Sequence, residues 1–162
     1  MSEPSPYEIA VAEEVLDDLA ERIARTRWPS QPASVGWDHG CDFDYLRELC
    51  AHWAGPYDWR QAERALNGLS NWRWDGMHFI WERAPVENRV EGRLPVLLIH
   101  GWPGGVIEFL DVIPRLVSAG HDAIVPSLPG FGFSDAPAEP INVAGVSARL
   151  RALVGGALGY ER

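Results

Sequence analysis

Residues Leu94 to Gly105, LPVLLIHGWPGG, decide the fold. A short apolar run rich in branched side chains breaks at a Gly-Trp-Pro-Gly-Gly turn, the pattern of a buried strand running into a tight loop. Each non-proline residue of such a loop carries an N–H donor, and Gly101, Gly104 and Gly105 let the backbone approach a ligand closely. Donors aimed at a developing negative charge form an oxyanion hole, which suits ester hydrolysis. A structural strand-to-helix turn fits the same residues. On this stretch alone it is the reading to favour, because short Gly-rich motifs recur without function.

Downstream, Val106, Phe109, Leu110 and Ile113 give one buried helical face, which Pro114 kinks or closes, and Ala123 to Val125 form a second short apolar strand. Strand, helix and strand make a βαβ unit, hence parallel strands with a right-handed crossover. The second strand enters a loop dense in glycine, proline and aromatic residues, PSLPGFGFSDAP, at 126–137. Asn142 then caps a last helix through Val143, Val146, Leu150, Leu153, Val154 and Leu158, weakened by Gly155 and Gly156.

Upstream, Pro85 to Arg93 is a polar connection. Asp75-Gly76 between Trp72–Trp74 and Met77–Arg83 is a strong hairpin signal. Met77, Phe79 and Trp81 share one face of that hairpin and His78, Ile80 and Glu82 the other. His78 therefore reads as a strand histidine with a local partner rather than a catalytic base. Before it, three helices are expected. Val15, Leu16, Leu19 and Ile23 form the stripe of the first, which Pro29 ends; Asp42 caps the second, with its stripe from Phe43 to Trp53; Asp58 and Gln61 begin the third, which runs through Leu66. Pro29 to Gly40, including Pro32, is a loop by composition. The expected organisation is a helical layer over 1–70 and an α/β segment over 71–162.

The 162 residues suit a chain with a sizeable core, and 46% apolar with 23% charged residues is the composition of a globular protein. A net charge of −9 argues against nucleic acid as a partner, because phosphate neutralisation needs a basic face. All fourteen basic residues are arginine, which reads as the base composition of a GC-rich bacterial genome. Cys41 and Cys50 are too few for a disulfide framework or a zinc site, and His39 beside Cys41 brings no second ligand pair, so no metal or cofactor is expected. No signal peptide or membrane span is read, and the expected location is the cytoplasm. Eight tryptophans point to aromatic packing or a large apolar binding surface.

The order of short motifs is more specific than any one of them. Arg27-Trp28-Pro29, Trp59-Arg60, Leu66-Asn67, Asp75-Gly76 with His78-Phe79-Ile80, His100-Gly101-Trp102-Pro103-Gly104, PSLPGFGFSD at 126–135 and Leu158-Gly159-Tyr160 follow one another along nearly the whole chain. Together they resemble the microsomal-type epoxide hydrolases, with their N-terminal epoxide-hydrolase region. The resemblance implies an α/β fold, here part of an α/β-hydrolase fold with an N-terminal helical layer.

It also implies a chemistry. In that family an aspartate on a nucleophile elbow opens the epoxide to an alkyl-enzyme ester, two tyrosines polarise the epoxide oxygen, and a histidine paired with an acid activates water to release a vicinal diol. The resemblance makes the Trp102 N–H one oxyanion donor, in a turn of His100, Gly101, Pro103 and Gly104, with Pro103 fixing it through a cis bond. Phe131 and Phe133 would line the substrate pocket, although a loop packed by its own aromatics fits them equally well. Gly105 and Trp81 stand where the family often has serine and a second histidine.

No nucleophile elbow occurs in the sequence, and in the family the elbow follows soon after Leu-Gly-Tyr, where this sequence stops. The expectation is therefore a truncated or partial epoxide hydrolase, inactive alone and holding no catalytic residue. Its family substrate is a small apolar or aromatic epoxide, in detoxification or aromatic hydrocarbon catabolism. Two other readings stay open: a non-catalytic module that pairs with a full-length homologue or with itself through an exposed sheet edge, and a fragment of another α/β-hydrolase such as a haloalkane dehalogenase.

Overall fold

The computed structural model describes residues 3–30, 35–89 and 94–160. Pro32, the end of the expected connection at Arg93, and the last two residues lie outside them. The chain divides into two compact units, Ala10–Glu63 and Met1–Ile9 together with Arg64–Arg162.

The sheet begins with β1 (Ser5–Pro6). From sequence these residues read only as a lead into the helical layer over 1–70, because two residues that include a proline carry no periodicity. They pair antiparallel with Trp72 and Arg73, and proline is tolerated there because β1 is an edge strand. Ile9 is buried, and its N–H and C=O are both taken by the Asn67 side-chain amide, at 2.9 and 2.7 Å.

The unit spanning 10–63 carries α1 (Glu13–Ala24) and α2 (Phe43–Ala54), packed on each other. The Asp42 carboxylate caps α2 by accepting the Tyr45 N–H at 2.9 Å, as expected for an N-cap aspartate. Asp58 does the same at the start of α3 (Trp59–Asn67), accepting the Arg60 N–H. Glu63 accepts the Val11 N–H and pairs with Arg60, which also reaches Glu13. Leu16, Leu19, Ile23, Trp53, Tyr57 and Trp59 line a shallow groove of about 250 Å³.

In the other unit, β2 (Asn71–Trp74) and β3 (Met77–Glu82) form the expected hairpin. Asp75 and Gly76 both adopt positive φ (48° and 71°), as a two-residue turn matching the strand twist requires. β4 (Val96–Leu97) is shorter than the run from Leu94 to Ile99 suggested. Its ladder runs from the Val96 N–H on Asp122 O to the Leu98 N–H on Ile124 O, at 2.8 and 2.9 Å. The expected helix from Val106 is instead a 3₁₀ turn, Val106–Phe109, followed by α4 (Ile113–Ser118). Pro114 thus opens a helix rather than closing one. The first-turn position suits it, since a helix leaves its first N–H groups unpaired in any case.

β5 (Ala123–Pro126) pairs parallel with β4 and antiparallel with β3, giving the order β1-β2-β3-β5-β4. α5 (Val143–Arg151) is capped by Asn142, which accepts the Gly145 N–H, and continues as a π-helical stretch, Ala152–Ala157, where the glycines fall. The core gathers Trp74, Met77, Phe79, Ile124, Leu150 and Leu153. His78 and Ile80, on the other face of β3, are fully buried too, so this strand is covered on both sides. The Tyr160 hydroxyl donates to Asp122 and accepts the Trp81 indole N–H at 2.9 Å, which ties Leu158-Gly159-Tyr160 to the sheet. Burial, then the Asp122 bond, pushes its phenol up to about 12.

Gly132 shows how closely the loop after β5 is built. Its φ is +52°, and a Cβ there would lie 2.8 Å from the buried Ser127 Oγ. A Gly132→Ala variant is expected to lose about 2 kcal/mol or more, from left-handed strain plus displacement of that hydroxyl. Urea denaturation measures the loss, and an unchanged midpoint would contradict the argument.

Candidate oxyanion turn

In open α/β sheets, ligands collect beyond the carboxyl ends of parallel strands. Here those ends carry two loops, 98–105 after β4 and 127–135 after β5, and His100 joins them. This residue is 4% exposed. The Leu128 N–H donates to Nε2 at 3.0 Å, so Nε2 must be an acceptor, and the proton sits on Nδ1, which donates to the Gly101 carbonyl at 3.0 Å. Phe131 meets the same ring edge to face at 5.3 Å.

The turn spends two of its own donors. The Gly104 N–H goes to Gly101 O at 2.8 Å, and the Gly105 N–H goes to Glu108 Oε1 at 2.9 Å. Pro103 has none to spend, and its peptide bond to Trp102 is cis. Among the described residues, no hydrogen bond is made by the N–H groups of Ile99, His100, Gly101 or Trp102. Trp102 is 85% exposed. A loop with adjacent unspent donors at Gly101 and Trp102, held by bonds to its own carbonyl and to a carboxylate, can bind an oxygen that carries negative charge.

The residues singled out from sequence fall in two places. His100, Gly101, Trp102, Pro103 and Gly104 form the turn, and Phe131 is brought to it through His100. Phe133 is not: its ring packs on His78 at 5.3 Å and on Tyr7 at 6.5 Å. Sequence reasoning missed Glu108, although Gly105 followed three residues later by an acidic residue has capping-box spacing.

His78 sits behind the loop after β5, not in the turn. Asn71 gives both amide protons to the carbonyls of Leu66 and Leu69, each at 2.8 Å, so its Oδ1 accepts from His78 Nε2 at 3.0 Å. Nδ1 then accepts from the Ser127 hydroxyl at 2.9 Å. The His78 N–H reaches Ser134 Oγ, whose own proton goes to Ser127 O, so both serines of the loop are tied to this buried group. Burial, and secondarily the Arg73 charge, pulls the imidazole down from 6.5 to about 4. It is a neutral brace: Asn71 on the paired strand is the local partner expected of it, and Ser127 is a distant one.

Among the described residues no group of three or more His, Cys, Asp or Glu side chains could hold a metal, and no helix is long and apolar enough to cross a membrane. A family model described as epoxide hydrolase N terminus matches residues 4–109, and one described as alpha/beta hydrolase fold matches 95–160. A putative epoxide hydrolase of Stigmatella aurantiaca is 43% identical over 148 residues, which are 83% of this chain and 33% of that protein. The juvenile hormone epoxide hydrolase of Bombyx mori is 33% identical over 168 residues, 97% of this chain and 36% of that protein. The crystal structure of the silkworm enzyme superposes with a TM-score of 0.86 at 31% identity, covering 100% of this chain and 45% of that one. The Aspergillus niger epoxide hydrolase gives 0.81 at 26% identity, covering 98% and 44%. The chain thus spans about a third of the length of the curated relatives it matches, and its fold is a partial α/β-hydrolase fold.

Proposed function

The chain belongs to the epoxide hydrolase N-terminal family, and on that premise we propose that it supplies one half of an epoxide-hydrolysing site, with the Trp102 N–H as an oxyanion donor. The observation that carries this is the donor count. Among the described residues the turn leaves the N–H groups of His100, Gly101 and Trp102 without a partner, and that of Trp102 is the last of them before the proline. Such a donor stabilises the charge that builds when water attacks an ester. Ester formation needs an aspartate nucleophile, and the sequence 1–162 contains no elbow to present one. His100, Gly101, Pro103 and Gly104 shape the turn in this reading, and Phe131 sits at its side. Phe133 would reach a pocket only from its place against His78. The substrate class is a small apolar or aromatic epoxide, and the setting a cytoplasmic, bacterial detoxification or catabolic enzyme.

Pairing with another chain, or with a second copy, is favoured by one further observation. β4 ends the sheet, and among the described residues no strand covers its outer side. Beside it Leu97, Ile99, Leu128, Val146, Leu150 and Val154 line an apolar groove of about 550 Å³. An uncovered parallel edge next to an apolar groove is a place for another strand.

Both readings are tested together. A polypeptide of residues 1–162 is expected to show no turnover of styrene oxide. Joined to the part of the Stigmatella aurantiaca relative that lies beyond its matched third, or mixed with that part, it is expected to yield the diol. Turnover by residues 1–162 alone would overturn the division of labour, and a folded joined protein that makes no diol would overturn the activity.

A further inference from the structure

We propose that Glu108 is a positioning residue for the oxyanion turn: by holding the Gly105 N–H above Gly104, its carboxylate fixes the direction of the Trp102 N–H. The purpose assigned to it rests on the oxyanion reading. Its test reads the turn itself, so the two can fail separately.

The geometry is reciprocal. Glu108 Oε1 accepts the Gly105 N–H at 2.9 Å, while the Glu108 N–H returns to Gly105 O at 3.2 Å. The carboxylate occupies the space a side chain at 104 would need. A Cβ on Gly104 would collide with Oε1, and would lie 2.8 Å from Cδ and 3.1 Å from Gly101 O. Glycine at 104 and the carboxylate at 108 are thus one arrangement. On the other side the Gly104 N–H is fixed to Gly101 O. Only Trp102 and Pro103 lie between these anchors, and the proline ring removes one of the remaining dihedral freedoms. Glu108 is exposed and could stay hydrated; it spends an oxygen on the backbone instead. A residue that merely capped the turn Val106–Phe109 would leave Trp102 unaffected, which makes Trp102 the reporter.

The experiment uses the full chain, labelled with ¹⁵N and weakly aligned, and reads the Trp102 N–H residual dipolar coupling with the exchange rate of the Gly105 amide. In Glu108→Ala the Trp102 coupling is expected to fall to half or less, and Gly105 to exchange about tenfold faster, as for loss of one charge-assisted bond. Couplings at Ile124 and Val125 in β5 stay as they were. Glu108→Gln, whose amide oxygen can accept the same N–H, keeps the wild-type coupling. Gly104→Ala, which evicts the carboxylate, reproduces the Glu108→Ala result and adds little to it in the double variant. An unchanged Trp102 coupling in Glu108→Ala, a Glu108→Gln variant no better than the alanine, or a wild-type Gly105 amide exchanging as an open loop would each overturn the proposal. If Glu108→Ala does not fold, Gly104→Ala supplies the comparison. Failure of epoxide turnover would leave every one of these readings in place.

Discussion

A His78→Leu variant is expected to lose about 3 kcal/mol of stability at pH 7.5, although no substrate contact is assigned to this side chain. Leucine fills the volume but leaves Asn71 Oδ1 and Ser127 Oγ facing it in a site where His78, Ser127 and Asn71 are 0%, 1% and 6% exposed. Each buried polar group left unpaired costs about 1–3 kcal/mol, and the added apolar burial offsets part of that. The second consequence concerns pH. The folded histidine titrates at about 4 and the unfolded one at 6.5, so between these values the unfolded chain binds more protons. The contribution of His78 is fully present above pH 6.5 and is lost as pH falls towards 4. Integrated over that window it amounts to about 3 kcal/mol. The variant should therefore show a flatter decline in stability from pH 6.5 to 4 than the wild type. Urea midpoints across that range measure both effects. A loss below about 1 kcal/mol at pH 7.5 would mean that water or a rotated Ser127 replaces the ring.

The sequence made His78 legible as a strand residue, because alternation along 77–82 and the Asp-Gly turn fix which residues oppose each other. Its partners were not legible. Ser127 lies 49 positions away, just after β5, and nothing in the local pattern marks that serine as buried. The same division runs through the molecule. Helices with caps and stripes, such as Asp42 to Trp53, and the paired strands around Asp75-Gly76 follow from local signals. β1 did not, since two residues hold no period and its pairing with Trp72 and Arg73 is a long-range event. Pro114 was misread because a proline within an apolar pattern marks either the end of one helix or the first turn of the next. The choice depends on where Val106–Phe109 stops. The turn residues from His100 to Gly104 were visible as a motif, but Glu108, which completes their hydrogen bonding, lay in a stretch read only for its helical face.

The largest functional effect is expected from a single atom. In the joined protein described above, replacing the Trp102 peptide N–H by an ester oxygen, with the indole kept, should lower kcat by about 10²–10³, the usual consequence of losing one oxyanion donor. Removing the amide proton chemically is cleaner than changing the side chain, because the proposed role belongs to the backbone and the indole is exposed. The way the loss divides identifies the step. On the proposed reading the donor acts on the charge that forms when water attacks the alkyl-enzyme ester, so formation of that ester is untouched and only its breakdown slows. The ester should then accumulate, detectable by mass spectrometry after quenching, and KM should fall together with kcat while kcat/KM holds. A fall in kcat/KM without accumulated ester would move the donor to the ring-opening step, where the epoxide oxygen takes the charge. A change smaller than about threefold would remove Trp102 from the charge-stabilising machinery altogether, since losing one oxyanion donor costs about 10²–10³ in kcat. The unspent N–H would then be a by-product of the way Gly101, Pro103 and Gly104 close the turn.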